Sequence, residues 1–157
     1  MPINKQDTIC APATIPGTGA ISVIRLSGPE ALSIADKVVT CNGTPLSSTD
    51  GYRIRYGTVF DNDGEIVDNV LVSVFRAPHS YTGEDSAEIS CHASGYIVQT
   101  IIGLLLDAGA RSAGPGELTR RAFVNGKMEL AQAEAVADVI AAQDKAAKIK
   151  ESIAALG

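Results

Sequence analysis

Ser86-Ala87-Glu88-Ile89-Ser90-Cys91-His92-Ala93-Ser94-Gly95-Tyr96-Ile97-Val98-Gln99-Thr100-Ile101-Ile102-Gly103-Leu104-Leu105-Leu106-Asp107-Ala108-Gly109 is the stretch on which the fold turns. Its opening run, Ser86 to Cys91, alternates: Ala87, Ile89 and Cys91 fall on one side, and Glu88, Ser90 and His92 on the other, as in a strand. From Ser94 the period lengthens. Ile97, Ile101, Leu104 and Leu105 recur at helical spacing as far as Ala108, and Gly109 closes the helix.

Upstream, Thr8 to Ala13 reads as a short strand, and Pro16-Gly17-Thr18-Gly19 is a turn into a second strand, Ala20 to Leu26. In that strand Ile21, Val23 and Arg25 share one face, while Ala20, Ser22, Ile24 and Leu26 share the other. Ser27-Gly28-Pro29-Glu30 opens a helix capped by Ser27 or Gly28, with Leu32, Ala35, Val38 and Val39 as its apolar stripe. A turn-rich stretch from Cys41 to Gly51 leads to a hairpin. Its strands are Tyr52 to Phe60 and Glu65 to Phe75, joined by Asp61-Asn62-Asp63-Gly64. The order β-β-α-β-β-β-α is neither repetitive nor strictly βαβ, which predicts an α+β fold with a mixed β-sheet and flanking helices.

Downstream, Gly114-Pro115-Gly116 is a tight turn, Glu117 to Asn125 a short helix stopped by Gly126, and Met128 to Leu156 a long Ala-rich helix. Leu130, Ala133, Val136, Ala137 and Ile140 stripe the first half of the long helix, and the second half is mostly Ala, Lys and Asp. A stripe this weak needs packing partners. The expected division is therefore residues 1–118 as one domain and 119–157 as the opening helices of a second, helical one.

The 157 residues are 45% apolar and carry 13 Lys and Arg against 18 Asp and Glu, a net charge of -5. That size supports a packed core without metals or disulfides, since such a chain buries roughly 70% of its unfolded surface. The negative balance argues against a nonspecific grip on nucleic acid or anionic lipid. No segment approaches the roughly 20 apolar residues of a membrane span and the first ten residues lack a leader-like run, so the expected location is cytoplasmic. Cys10, Cys41 and Cys91 show no C-x-x-C spacing and read as reduced structural thiols.

The chain lacks G-x-x-x-x-G-K-[ST], which excludes nucleotide hydrolysis by a P-loop within these residues. His79 and His92 lack zinc-type spacing. Pro16 to Gly19 is either a plain turn or an anion cradle, and the turn is favoured because a strand follows it. Between Asp61 and Asp107 eight acids face one base, Arg76; between Arg111 and Lys127 four bases face one acid, a local +3. The basic segment suits a small anionic ligand, while Arg120 and Arg121 taken singly read as a solvated helix face. Arg25 and Glu88 are charges on otherwise apolar strands. They either point to solvent or line a pocket, and pattern alone leaves both open.

Four separated blocks decide between such alternatives. Asp7-Thr8-Ile9 with Ala13-Thr14-Ile15-Pro16-Gly17, then Gly19-Ala20-Ile21 and Val23-Ile24-Arg25-Leu26-Ser27-Gly28, resemble the start of the MnmE (TrmE) family of bacterial tRNA-modification GTPases. Ser80-Tyr81-Thr82-Gly83-Glu84-Asp85 with Glu88 and His92, Pro115-Gly116-Glu117-Leu118-Thr119-Arg120-Arg121-Ala122-Phe123, and Asn125-Gly126-Lys127-Met128-Glu129-Leu130-Ala131-Gln132-Ala133-Glu134-Ala135 are similar to that family's later N-terminal blocks. The chain departs from the family pattern at His92-Ala93-Ser94-Gly95, where a Gly-rich run is usual, and at Gly114, where a base is usual. The tail after Gln143 matches only loosely.

The resemblance implies a folate-binding and homodimerising domain akin to that of glycine-cleavage aminomethyltransferases. It implies 5-formyl- or 5,10-methylene-tetrahydrofolate as cofactor, with contacts at Arg25, Glu88 and Lys127. It further implies a parent protein that uses GTP with Mg and K and an MnmG-type FAD partner. That parent places an aminomethyl or carboxymethylaminomethyl group on C5 of wobble uridine, and tRNA is held only in the full complex. The GTPase domain and the family's C-terminal Cys motif are not in these residues, so the chain is expected to be a fragment that is not an enzyme alone. Two other readings stand beside this one: an assembly module without a ligand, and a stand-alone folate-dependent one-carbon transferase.

Overall fold

The computed structural model describes residues 7–13 and 19–156, with side chains as far as Ala142 and at Lys145. Residues 14–18, and with them most of the expected Pro16–Gly19 turn, lie outside the described residues, as do Met1 to Gln6 and the side chains behind the second half of the long helix. The elements run β1 (Ile9–Pro12), β2 (Ile21–Ser27), α1 (Ala31–Val38), β3 (Val39–Cys41), β4 (Arg53–Phe60), β5 (Ile66–Phe75), β6 (Ser86–His92), α2 (Gly95–Asp107), β7 (Arg111–Ser112), α3 (Glu117–Val124) and α4 (Leu130–Leu156). The strands form one sheet in the order β3-β4-β5-β6-β2-β1-β7. Every neighbouring pair is antiparallel except β1 with β7, so the sheet is mixed and the fold α+β, as the pattern predicts.

Alternation along the strands gives the sheet two unlike faces. Ile24 and Leu26 of β2, Val70, Val72 and Val74 of β5, and Ala87, Ile89 and Cys91 of β6 are buried in one core with α1 and α2. Helix α1 contributes Leu32, Ile34, Ala35 and Val38, and α2 contributes Ile101 and Leu105. The opposite face carries the other phase of each strand. Arg25 is in register with Glu88, Glu88 with Ser73, and Ser73 with Ile54, so a polar row crosses three strands there, β2, β6 and β5, and ends at the apolar Ile54 of β4.

Three local expectations need correction. Helix α1 starts later than its expected cap: its N-cap is Glu30, which makes no side-chain cap bond. Ser27 is instead fully buried at the end of β2, where its hydroxyl meets Thr82 and Glu84. Gly28 turns the chain at φ 141 against Thr8, where a Cβ would come within 2.6 Å of the Thr8 Cα. Val39 belongs to β3 and not to the α1 stripe; it pairs with Val59, because Val38-Val39-Thr40 is a β-branched run that suits a strand better than a helix. The long helix begins at Leu130 rather than Met128.

The hairpin and the α2 boundaries follow their residues closely. Asp61 Oδ1 accepts from the amides of Asp63 and Glu65, both at 2.9 Å, and Gly64 takes φ 81 to close the turn. Ser94 caps α2 by accepting from the Ile97 amide, and Gly109 ends it at φ 119. All three cysteines are free thiols; burial raises each of them and pushes Cys91 up to about 11, so they stay protonated at neutral pH. Among the described residues no helix is long and apolar enough to cross a membrane.

Candidate functional site

The open face of the sheet carries a cavity of about 360 Å³ lined in part by Arg25, Glu88 and Lys127. Pattern alone left Arg25 and Glu88 between solvent and a pocket; they are in the pocket. They sit opposite each other on β2 and β6, where the Arg25 Nε donates to Glu88 Oε2 at 2.9 Å. Both side chains are about three-quarters buried, at 21% and 25% exposure. The Arg25 guanidinium also lies 4.5 Å from the centre of the Tyr81 ring, a cation–π contact that holds it from the loop side.

Lys127 arrives from a different part of the chain. The C-terminal turn of α3 passes through Gly126 at φ 73, and the Lys127 amide donates to the Ala122 carbonyl at 2.8 Å. Its ammonium has no hydrogen-bond or ion-pair partner among the described residues, in contrast to Arg25.

The loop between β5 and β6 forms the wall that joins these elements, and its polar residues explain the Ser80–Asp85 block. Thr82, fully buried, shares a 2.6 Å hydrogen bond with the Ser27 hydroxyl, which also donates to Glu84 Oε1 at 2.9 Å. Ser80 donates to the Glu84 carbonyl, and Asn125 Nδ2 donates to the Thr82 carbonyl at 2.7 Å. Gly83 takes φ 82 with Asn125 and Lys127 packed against it, so the loop and the α3 end are fitted to each other. Tyr81 Oη and Thr119 Oγ1 are 3.0 Å apart, a second tie between loop and helix. Buried hydroxyls and carboxylates are tolerable because each has a partner.

The basic segment is corrected by its ion pairs. Arg121 is only 10% exposed and is not a solvated helix residue: it bonds the Asp7 carboxylate and carbonyl and reaches Glu84 at 3.2 Å. Arg111 pairs with Asp7 at 2.6 Å and with Glu117 at 2.5 Å. The Arg111 guanidinium, ahead of Arg121, holds the Asp7 carboxyl below its usual range, and it does the same to Glu117. Arg111 and Arg121 are therefore internally neutralised, and Arg120 is exposed on α3. Of the segment's bases only Lys127 lines the cavity.

Six further residues line it: Tyr52, Phe75, His79, Ser80, Tyr81 and, on the sheet side, Ser86. Sequence reasoning gave Tyr52, Phe75 and His79 no role. A signal existed, since the chain has only four Tyr and three Phe, and three of those seven meet at this one cavity. Strand alternation puts Phe75 on the open face, but nothing local brings Tyr52 there.

A family model described as "GTP-binding protein TrmE N-terminus" matches residues 8–127. The chain is 55% identical over 144 residues to the tRNA modification GTPase MnmE of Bacteroides fragilis, covering 90% of this chain and 30% of that protein. It is 52% identical over 140 residues to the MnmE of Moorella thermoacetica and 50% over 140 residues to that of Bacillus licheniformis, each with 88% of this chain and 30% of the relative. It thus spans about 30% of the length of the curated relatives it matches. Matching one family model across the sheet, the cavity and α3, and relatives at half identity over nearly its whole length, the chain belongs to the TrmE N-terminus family, the N-terminal region of MnmE.

Proposed function

We propose that this chain binds a one-carbon tetrahydrofolate, 5-formyl or 5,10-methylene, in the open-face cavity, and forms the homodimer of a tRNA-modification GTPase. The supporting observation is the convergence of Arg25, Glu88 and Lys127, drawn from β2, β6 and the end of α3, on one cavity. A reduced pterin presents an exocyclic amine beside a ring N–H, and a fixed carboxylate accepts both. Glu88 is that carboxylate. Arg25 orients it through Oε2, and each carboxylate oxygen keeps a further lone pair for the ligand. The Lys127 ammonium, without a partner among the described residues, serves the ligand's anionic tail or its formyl oxygen.

Residues 1–118 are the folate-binding and dimerising unit in this proposal, related in fold to the glycine-cleavage aminomethyltransferases. Residues 119–157 open a helical unit, with α4 packing on α3. Modification of wobble uridine at C5, GTP with Mg and K, the MnmG-type FAD partner and tRNA belong to the parent protein. The dimer finds support in the exposed apolar side chains Ile54, Tyr56 and Leu71 on the same open face, at 67%, 62% and 48% exposure.

Calorimetric titration with 5-formyltetrahydrofolate tests the proposal. A ligand of roughly thirty heavy atoms at about 0.3 kcal/mol per atom reaches on the order of 10 kcal/mol, so Kd is expected between tens of nanomolar and micromolar. Glu88→Gln is expected to weaken it at least about tenfold. A folded wild-type chain giving no heat would contradict the folate reading. Sedimentation of the same samples is expected to show a dimer; a monomer that binds folate keeps the site and removes the dimer, and a dimer without heat leaves the assembly module.

A further inference from the structure

Tyr52 stands in a conformation its residue type opposes. Its φ is 62, the only positive φ among the described residues other than glycine, and its side chain is 72% exposed. A Cβ in the left-handed region costs roughly 1–2 kcal/mol, which Gly avoids and Asn largely avoids. A mostly solvated ring regains little of that by burial. The conformation is nevertheless pinned: the Tyr52 amide donates to the Val74 carbonyl at 2.7 Å, and Gly51 before it is packed against Arg76. Backbone strain held this firmly is characteristic of ligand clamps.

The neighbours of the ring give it a purpose. Tyr52 meets Phe75 edge-on, with centroids 6.3 Å apart and planes at 89°, and it is tilted against His79 at 6.2 Å. All three line the cavity that holds Glu88. In the sheet Tyr52 lies two strands across and about one pleat along from Glu88, roughly 12 Å by ordinary strand spacing and rise. A single heterocycle seated on Glu88 does not span that distance, but a ligand with a second ring on a short linker does.

We infer that Tyr52, supported by Phe75 and His79, forms an aromatic subsite that takes the second ring of a two-ring ligand, the aryl ring of a folate whose pterin is held by Glu88. This rests on the folate reading above and adds to it the element that selects a full folate over a bare pterin. Stacking on an exposed ring contributes to affinity for the aryl group alone.

The test titrates two probes, 5-formyltetrahydrofolate and 6-methyltetrahydropterin, into the wild type, Tyr52→Phe, Tyr52→Asn and Tyr52→Gly, with Tm measured for each. Tyr52→Asn and Tyr52→Gly are expected to weaken the folate about tenfold and leave the pterin within about twofold. Tyr52→Phe is expected to bind both like wild type, and Tyr52→Gly to keep or raise Tm, which a merely structural role for the ring would not do. Folate binding unchanged in both Asn and Gly variants, or equal loss of both probes, overturns the subsite and leaves the folate reading standing. A wild type that binds neither probe overturns both.

Discussion

Gly83 shows how single positions fit the site together. At φ 82 it adopts a backbone that costs other residues roughly 1–2 kcal/mol. An added Cβ would also lie 2.9 Å from the Asn125 Cβ and 3.3 Å from the Lys127 Cγ. Gly83→Ala is therefore expected to lower stability by about 1–2 kcal/mol in chemical denaturation and to weaken folate binding by displacing Lys127. Unchanged stability and affinity would contradict the described packing of loop against helix. Glu88 and Arg25 differ in kind: their backbone is ordinary strand, and what distinguishes them is a charge on a face whose neighbours are Ser73 and Ser86. The alternation that hides Ala87 and Ile89 is what exposes Glu88, and the same holds for Arg25 beside Ile24 and Leu26, so both residues were legible, while their pairing across β2 and β6 was not.

At the scale of elements, α3 is fastened to the rest by charge. Asp7 and Glu117 are held below the usual carboxylate range first by hydrogen bonds from Arg111. Between those lowered values and the ordinary range near pH 4, the unfolded chain binds more protons than the native one. Stability from these pairs is thus complete above the ordinary range and is lost as pH falls through the native values. A Tm series from pH 7 to pH 3 is expected to fall more steeply for the wild type than for Arg111→Gln; parallel curves would show that the pairs do not stabilise the native state. The same elements show where sequence reading stops. Periodicity found the strands, α2 and α3 because each buries one face, and the Asp61–Gly64 and Gly126 turns because their chemistry is local. It missed β3 and β7, which are short edge strands whose existence depends on β4 and β1 rather than on their own residues. It also took Arg121 as solvated, since Asp7 and Glu84 are 114 and 37 residues away in sequence.

For the whole molecule, the sheet separates two tasks. One face is sealed by α1 and α2 and carries the core. The other is left open, with a polar row at its centre, the β5–β6 loop and the α3 end at one side, and exposed Ile54, Tyr56 and Leu71 at another. The proposed ligand site and dimer surface share that one face, and the chain spans about 30% of the length of the curated relatives it matches. The net charge of -5 describes the chain but not the site. There the Arg25–Glu88 pair is neutral, and Lys127, without a partner among the described residues, leaves the cavity lining with a net positive charge. The most direct test is a crystal structure of the chain with 5-formyltetrahydrofolate. The account predicts the pterin amine and ring N–H within about 3.2 Å of the Glu88 carboxylate, with Lys127 on a ligand oxygen. Folate seated elsewhere, with Glu88 still bonded only to Arg25, would contradict it.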